Sequence, residues 1–515
     1  MTNVAQAASP AQDRVSESPS LAATLRGKLS GLSHGQFVCL AAAVAFLLVF
    51  YFQSPRFVLW QGLEIAAARS NPEVNRAHDT LNLIASPFSP VPNSSNTIIQ
   101  WRLLFPLLGH YLHFPRWLNL TVPFIGAFAC AAAIAHFITR KTGDRLIGFG
   151  AAVAGSAASW FFVSTGWLCY YDAWYVAGLL SVAFSPSRRL LVLCGLLVPW
   201  IDERFVLGLP VAVLCRWALQ AESPVRARWR EVAALGCALL PWMLIRSGIV
   251  LAGVDRSESM VHPGHPYDAP SVWANMPLGV WHGFRGLWFY ALILPWALHR
   301  NSRRNLALVI GAAVIATFAA TTILAGDISR SVSMFLPLPI AGIAYLAATN
   351  RRLLLVSLPL VAAFNLAAPA SHVMTAFTIP IYDLRHEILS YKNPPPEVNP
   401  RYHNGQGLQL LKEGKTAEAT RHFDAAIKLA PQLPASYANR GYLRSMSGDP
   451  AGALADLDRA VKLGMQSADL LLFRGTLQLQ CGQRDGARNS FQQALRVAPA
   501  DWPKRGEVEV NLKAM

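Results

Sequence analysis

Four places in this sequence set carboxylates beside arginine or aromatic residues, where acid–base work or anion binding could be done. The stretch 55–97 carries Glu64, Glu73, His78 and Asp79. Tyr170, Tyr171 and Asp172 are consecutive, with Trp174 just beyond. Asp202, Glu203 and Arg204 are also consecutive, and Asp327 lies three residues before Arg330. A positioned carboxylate can take the proton of an attacking hydroxyl. Arginine binds phosphate oxygens in pairs through its planar fork, which adds Arg102 to Arg204 and Arg330. A fifth place, His262-Pro-Gly-His265-Pro-Tyr-Asp268, has the ligand types for a divalent metal ion. Its two prolines impose a turned loop rather than one helical ligand face. Sugar or phosphate contact by His262 and His265, or a plain loop, are the other readings. For each carboxylate the bland alternative is a solvated loop residue, and for Arg204 an ion pair with its neighbours. No phosphate-cradling Gly-rich loop, nucleophile elbow or His-Glu-x-x-His motif occurs.

The elements that must position these residues follow from composition. The 515 residues are 53% hydrophobic and only 14% charged, against roughly 25% in soluble domains. That excludes an ordinary soluble enzyme. Apolar runs fall at 37–52, 118–139, 146–165, 169–184, 190–200, 205–219, 232–251, 284–298, 306–325, 332–348 and 353–370. These predict about eleven transmembrane helices in a membrane domain 36–370, after a disordered cytoplasmic leader 1–35. With the N-terminus in the cytoplasm, the clusters Arg140–Lys141–Arg145, Arg188–Arg189, Arg226–Arg228–Arg230, Arg300–Arg303–Arg304 and Arg351–Arg352 all fall inside. Most acids of this region fall outside, as the positive-inside rule requires. The net charge of +16 is then an orientation signal and not a nucleic-acid footprint. The acids gather on the outer face, where a site is to be sought.

Two segments need special treatment. Residues 98–114 are apolar, yet counting them as a span would invert every later loop. They are read as a surface helix within an outer region 55–116, with Arg102 and His110 at polar depth. Residues 190–219 leave arms too short for two straight crossings, so Asp202-Glu203-Arg204 forms the tip of a re-entrant hairpin. Charges at depth are costly and mark functional sites. The seven cysteines form no disulfide or metal pattern, and burial is the expected role for all of them. Asn93-Ser94-Ser95 is a formal glycosylation sequon on the outer side.

Beyond a linker 371–398 the composition turns polar, and a period of 34 appears. Gly407, Gly441 and Gly475 share it. So do Ala419, Ala453 and Ala487, then Phe423, Leu457 and Phe491, then Ala426, Ala460 and Ala494. This pattern resembles the tetratricopeptide repeat (TPR), with units 400–433, 434–467 and 468–501 and a capping helix, in a domain 399–515. Small residues let paired helices approach, and three units are about the minimum for a stable stack. The expected fold class is all-α: a polytopic helical membrane body with a C-terminal α-solenoid. The resemblance implies a groove for a protein or peptide partner, lined by Asn404, Leu408, Asn439, Tyr442, Leu472 and Thr476.

The layout of the body resembles the C-type integral-membrane glycosyltransferases: many spans, a long first outer loop with an acid, surface helices, and an outer-face site. Joined to repeats beyond the membrane, it is similar to the lumenal-repeat O-mannosyltransferases. The resemblance implies transfer of a sugar from a polyprenyl-phosphate donor to an envelope acceptor, with the repeats recruiting acceptor or partner. It assigns the catalytic carboxylate to Asp79, with Glu73 or Glu64 as substitutes and Asp172, Asp202 and Glu203 as further candidates. Arg204, Arg330 and Arg102 would hold the donor phosphate, and Tyr171, His262 and His265 would contact substrate. The acidic pair that often follows the first span in that family is absent. The implied partners are the lipid bilayer, the lipid-linked sugar and a protein. The implied place is a bacterial inner membrane, with the repeats periplasmic. The alternatives are a non-enzymatic membrane-anchored scaffold for a polysaccharide or secretion complex, and a polysaccharide polymerase or oligosaccharide ligase.

Overall fold

The computed structural model describes residues 21–56, 72–88, 102–220, 224–251, 269–300, 303–324, 327–374, 378–392, 400–429, 431, 433–499 and 501–515. Helices dominate. Part of the segment expected to be a disordered leader is ordered: Leu21–Ser30 is helical, and His34–Phe52 starts from a capping box between Ser33 and Gln36. Such a box satisfies two orphan N–H groups at once.

Three helices are long and apolar enough to cross a membrane: His34–Phe52, Arg116–Thr142 and Val225–Gly248. Two bent pairs raise the number to five. These are Arg145–Ser156 with Ser159–Gly166, bent by 61°, and Ile328–Phe335 with Pro337–Thr349, bent by 40°. Other apolar runs give shorter or proline-containing helices. Asp172–Phe184 and Trp288–Arg300 have 13 residues each, and Arg204–Leu219 has 16, with Pro210 inside. At about 1.5 Å per residue, 13 residues reach roughly 20 Å, short of the ~30 Å hydrocarbon core. Apolar runs therefore outnumber straight spans. Of the segment read as a surface helix over 98–114, the described part 102–114 is helical at Leu104–Tyr111.

The chain is helical with almost no strands, as expected; among the described residues one antiparallel hairpin lies in the expected linker. Strand β1 (Ala370–Val373) pairs with β2 (Thr378–Ile381), and Asp327 bridges to Met374. The helix Leu384–Lys392 follows. Period-2 placement puts Ala370 and His372 on one buried face.

The body core is packed through small residues. Ala127, Ala131, Ala135, Ala151, Ala152 and Ala154 are fully buried, which lets helix backbones approach. At Gly342 a Cβ would collide with the carbonyl of Tyr290, so the two helices meet backbone to backbone. The break after Ser156 leaves helical carbonyls without partners, and two side chains from distant elements satisfy them. Arg285 donates to Ala157 O at 2.7 Å and to Ala368 O at 3.0 Å. Asn365 donates to Ala157 O at 3.2 Å and to Phe284 O at 3.0 Å, and accepts from Gly286 N at 2.8 Å. Ala157 and Ala368 are both helix C-caps. The buried guanidinium thus sits between two helix C-termini, whose partial negative charge suits it. Two cysteines depart from the expected burial: Cys39 and Cys237 are exposed.

The C-terminal part is a TPR-type helical repeat of three hairpins: Pro400–Lys412 with Thr416–Leu429, Pro434–Met446 with Pro450–Lys462, and Ala468–Gln480 with Arg484–Val497. Arg505–Lys513 closes it. The turn glycines Gly414, Gly448 and Gly482 all have positive φ, which glycine adopts without strain. At Gly407 and Gly475 a Cβ would lie 2.5 Å from the rings of Phe423 and Phe491. The sequence period is this close approach, repeated.

Candidate functional site

The three consecutive charges at 202–204 lie between Val198–Trp200, a 3₁₀ turn, and the helix Arg204–Leu219. Proline at 199 helps end the preceding helix, and Asp202 accepts from the Arg204 backbone N–H at 3.0 Å, a local turn bond typical of Asp. Asp202 is 1% exposed and is held by three arginines. Arg102 approaches its Oδ2 at 2.9 Å, Arg330 at 3.2 Å and Arg204 at 3.3 Å. Arg102 also forks onto Glu203, with Nε at 3.2 Å and Nη2 at 2.6 Å. Burial alone would lower the Arg102 pKa, but Asp202 and Glu203 outweigh it and raise the pKa above the ordinary value.

Arg330 is the hub. Its Nε donates to Asp172 Oδ1 at 2.5 Å, its Nη2 to Asp202 at 3.2 Å and its Nη1 to Asp327 at 3.1 Å. Tyr170 lies under its guanidinium at 4.4 Å, and Arg76 stacks on the same tyrosine at 4.0 Å. Cation–π contacts of this kind strengthen when desolvated. Asp327 continues outward to His372 Nε2 at 3.7 Å. His372 is buried against Trp167, and its Nδ1 is 3.3 Å from Ser329 Oγ. Ser329 also receives the Val373 N–H at 2.9 Å, so the β hairpin is tied to the cluster.

Three arginines (Arg102, Arg204, Arg330) therefore meet four carboxylates (Asp172, Asp202, Glu203, Asp327). The cluster combines fully paired atoms with orphaned ones. Among the described residues, Asp172 Oδ2, Arg204 Nε and the hydroxyls of Tyr171 and Tyr175 are buried without a hydrogen-bond partner. Tyr175 follows Asp172 by one helical turn and lies among the charges of Asp172, Arg204, Asp202 and Arg330. Buried polar atoms without partners are rare, and each calls for an explanation. Here an acceptor and several donors are available to a group that both donates and accepts, such as a hydroxyl.

Of the residues singled out from sequence, Asp172, Asp202, Glu203, Arg102, Arg204 and Arg330 are brought together. Tyr171 lies beside them, stacked on Phe105 at 4.6 Å. Asp79 is on the helix Pro72–Ala85, one turn after Arg76, which stacks on Tyr170. His262, His265 and Glu64 lie outside the described residues, and so does the metal reading of 262–268. Nothing is described of the Glu73 side chain. Among the described residues no group of three or more His, Cys, Asp or Glu could hold a metal ion. The residues missed by sequence reasoning are Tyr175, Ser329 and His372. Tyr175 sits in an apolar run and reads as core, and His372 sits in an expected linker. The only available signal was the i, i+3 spacing from Asp172 to Tyr175.

In the repeats, Asn439 donates to Asn404 at 2.9 Å across adjacent units, and Tyr442 is exposed against Phe473 at 5.7 Å. Leu408 packs on the first-hairpin cluster of Ala419 and Phe423. Thr476 donates back to Leu472 O at 3.1 Å. Leu472 is a correction: it is 5% exposed and packs with Leu471, Ala487 and Phe491 inside the third hairpin, so it does not line a groove.

No family model matches the chain, and no curated protein matches it. Among solved structures, a match covers 95% of this chain and 98% of the other: the crystal structure of the APC/C hetero-tetramer Cut9-Hcn1. Its identity is 14% and its TM-score 0.22. That likeness is too slight to argue from, and the repeat assignment rests on the chain's own three hairpins.

Proposed function

We propose that the body is a membrane-embedded glycosyltransferase. It would take a sugar from a polyprenyl-phosphate donor and pass it to an envelope acceptor, while the repeats recruit the acceptor or a partner protein. The observation that carries this reading is the Oδ2 of Asp172, fully buried and without a partner among the described residues, while its Oδ1 is held by Arg330 of the three-arginine cluster. In this role Asp172 takes the proton of the acceptor hydroxyl as that oxygen attacks the anomeric carbon. The donor phosphate leaves with the bond's electron pair, and Arg204 and Arg330 stabilise its charge. Asp202 holds the arginines in place. Glu203 stands at the edge of this arrangement, on Arg102, and Asp79 is the further carboxylate that the same experiment tests.

In this reading the chain crosses the membrane eleven times, with its N-terminus cytoplasmic and its repeats on the far side. Leu47, Leu244, Leu292, Ile315, Val356 and Leu360, each more than 60% exposed, face lipid. An apolar exterior of that extent suits a bilayer rather than water. The decisive experiment replaces Asp79, Asp172 and Asp202 singly by Asn and compares envelope glycan profiles at equal protein level. Loss of a glycan in the Asp172 and Asp202 variants is expected; three wild-type profiles would sink the enzyme reading. Protease added outside spheroplasts is expected to cut the repeats, and protection of residues 400–515 overturns the eleven-span topology.

A second reading has its own support. Each arginine of the cluster is already ion-paired to a carboxylate, as in a buried network that only fixes the fold. The protein would then be a membrane-anchored TPR scaffold for an envelope complex.

A further inference from the structure

The three hairpins are not equivalent in one respect. The second repeat clamps its two helices with Arg440 on Asp456, at 2.6 and 2.8 Å. The third does so with Arg474 on Ser490, at 2.9 Å. One period earlier these positions hold Gln406 and His422. The clamp of the first repeat is instead His422 against His403, with Nδ1 to Nδ1 at 3.0 Å and ring centroids 5.2 Å apart. His403 is 5% exposed. Its equivalents in the second and third repeats are Tyr437 and Leu471, neither of which is an imidazole.

We propose that this histidine pair makes the first repeat a pH-responsive hairpin, closed near neutrality and opened by acid, while the other two repeats stay shut. The bond needs one Nδ1–H donor and one bare Nδ1 acceptor. A first proton can be taken on the Nε2 of the donating ring without breaking it. A second must occupy the accepting Nδ1, leaving two N–H groups and two positive charges face to face. Charged groups on the helices packed here do not offset this. Asp424, on the His422 helix, is committed to Arg440 at 2.7 Å, and Arg444 from the next helix to Asp456 at 3.0 Å. Lys412, Glu418, Arg421 and Lys428 are the other described charges on the two histidine helices. The tyrosines here are Tyr402, whose ring meets His403 edge-on, and Tyr437 and Tyr442 on the next helix. The His403 pKa is lowered, first by burial and then by the His422 imidazole. The native state therefore binds fewer protons than the unfolded chain. Stability is fully present above about pH 6.5 and falls as pH drops below it.

The test is hydrogen exchange of the purified full chain in detergent at pH 7.5 and 5.5, corrected for intrinsic rates. Amides of 400–429 are expected to exchange at least about fivefold faster at the lower pH, with 468–497 unchanged as internal reference. The double variant His403→Leu with His422→Ser carries the residues that the third repeat uses at these positions. It is expected to keep its protection at pH 7.5 and to lose the pH response. Equal protection of 400–429 at both pH values in the wild type overturns the proposal, and so does a pH response that survives in the double variant.

Discussion

Replacing Arg330 by Met removes the hub of the cluster while keeping its apolar stem. The three arginines and four carboxylates leave a formal excess of one negative charge; without Arg330 the excess is two. Asp172 suffers most. It is fully buried, its Oδ1 bonds to Arg330 at 2.5 Å, and its Oδ2 has no partner among the described residues. Asp202 keeps Arg102 and Arg204. Stripping one partner from a buried ion pair costs roughly 3–5 kcal/mol, so Arg330→Met should lose stability on that scale. Removing the stranded charge as well, with Asp172→Asn, should restore a coupling on the order of 2–3 kcal/mol. The assay is equilibrium unfolding in mixed detergent micelles, applied to both single variants and the double. If the double variant is no more stable than Arg330→Met alone, Asp172 is not held by Arg330, and the account of the cluster fails.

Gly475→Ala forces a Cβ to within 2.5 Å of the Phe491 ring, and an overpacking loss of roughly 1–3 kcal/mol should appear as faster proteolysis of the third hairpin. Arg285→Leu removes two bonds to helix-end carbonyls. At roughly 1–2 kcal/mol each after partial relaxation, it should lower the thermal midpoint of the body without changing exchange in the repeats. Tyr175→Phe deletes only a hydroxyl that has no partner among the described residues, so protein level should hold while the Asp172-dependent glycan signal falls; an unchanged signal removes Tyr175 from the site.

The repeats were legible because a packing constraint recurs at fixed distance: each Gly faces an aromatic or Leu from the partner helix. The charged cluster was legible for a different reason, since ions in apolar surroundings need partners, and Asp202, Arg204 and Arg330 found one another. Much else was hidden. Strands of four residues, Ala370–Val373 and Thr378–Ile381, leave no periodic trace above that of a loop, so His372 went unseen. Tyr175 reads as core from its neighbours, and only the fold reveals that its hydroxyl meets charge. Apolar runs count segments and not crossings; whether 146–165 is one straight helix or two bent by 61° depends on Arg285 and Asn365, which lie far along the chain. Leu472 was misplaced because a 34-residue period locates a helix without fixing which way each side chain turns.

The knot at Ala157 also bears on the order in which the protein can be made. Its carbonyl is satisfied by Arg285, 128 residues later, and by Asn365, 208 residues later. A ribosome emits these in sequence. The first bend therefore waits with an unmet carbonyl until Arg285 emerges. Its second fastening comes only with Asn365 on the helix Arg351–Ala367, after more than half of the body has been synthesised. Contacts of such separation form slowly, and a chain cut short before Asn365 would leave the early helices without their fastening. The strands Ala370–Val373 and Thr378–Ile381 and the helix Leu384–Lys392 come next, so the last fastenings of the body leave the ribosome shortly before the first repeat.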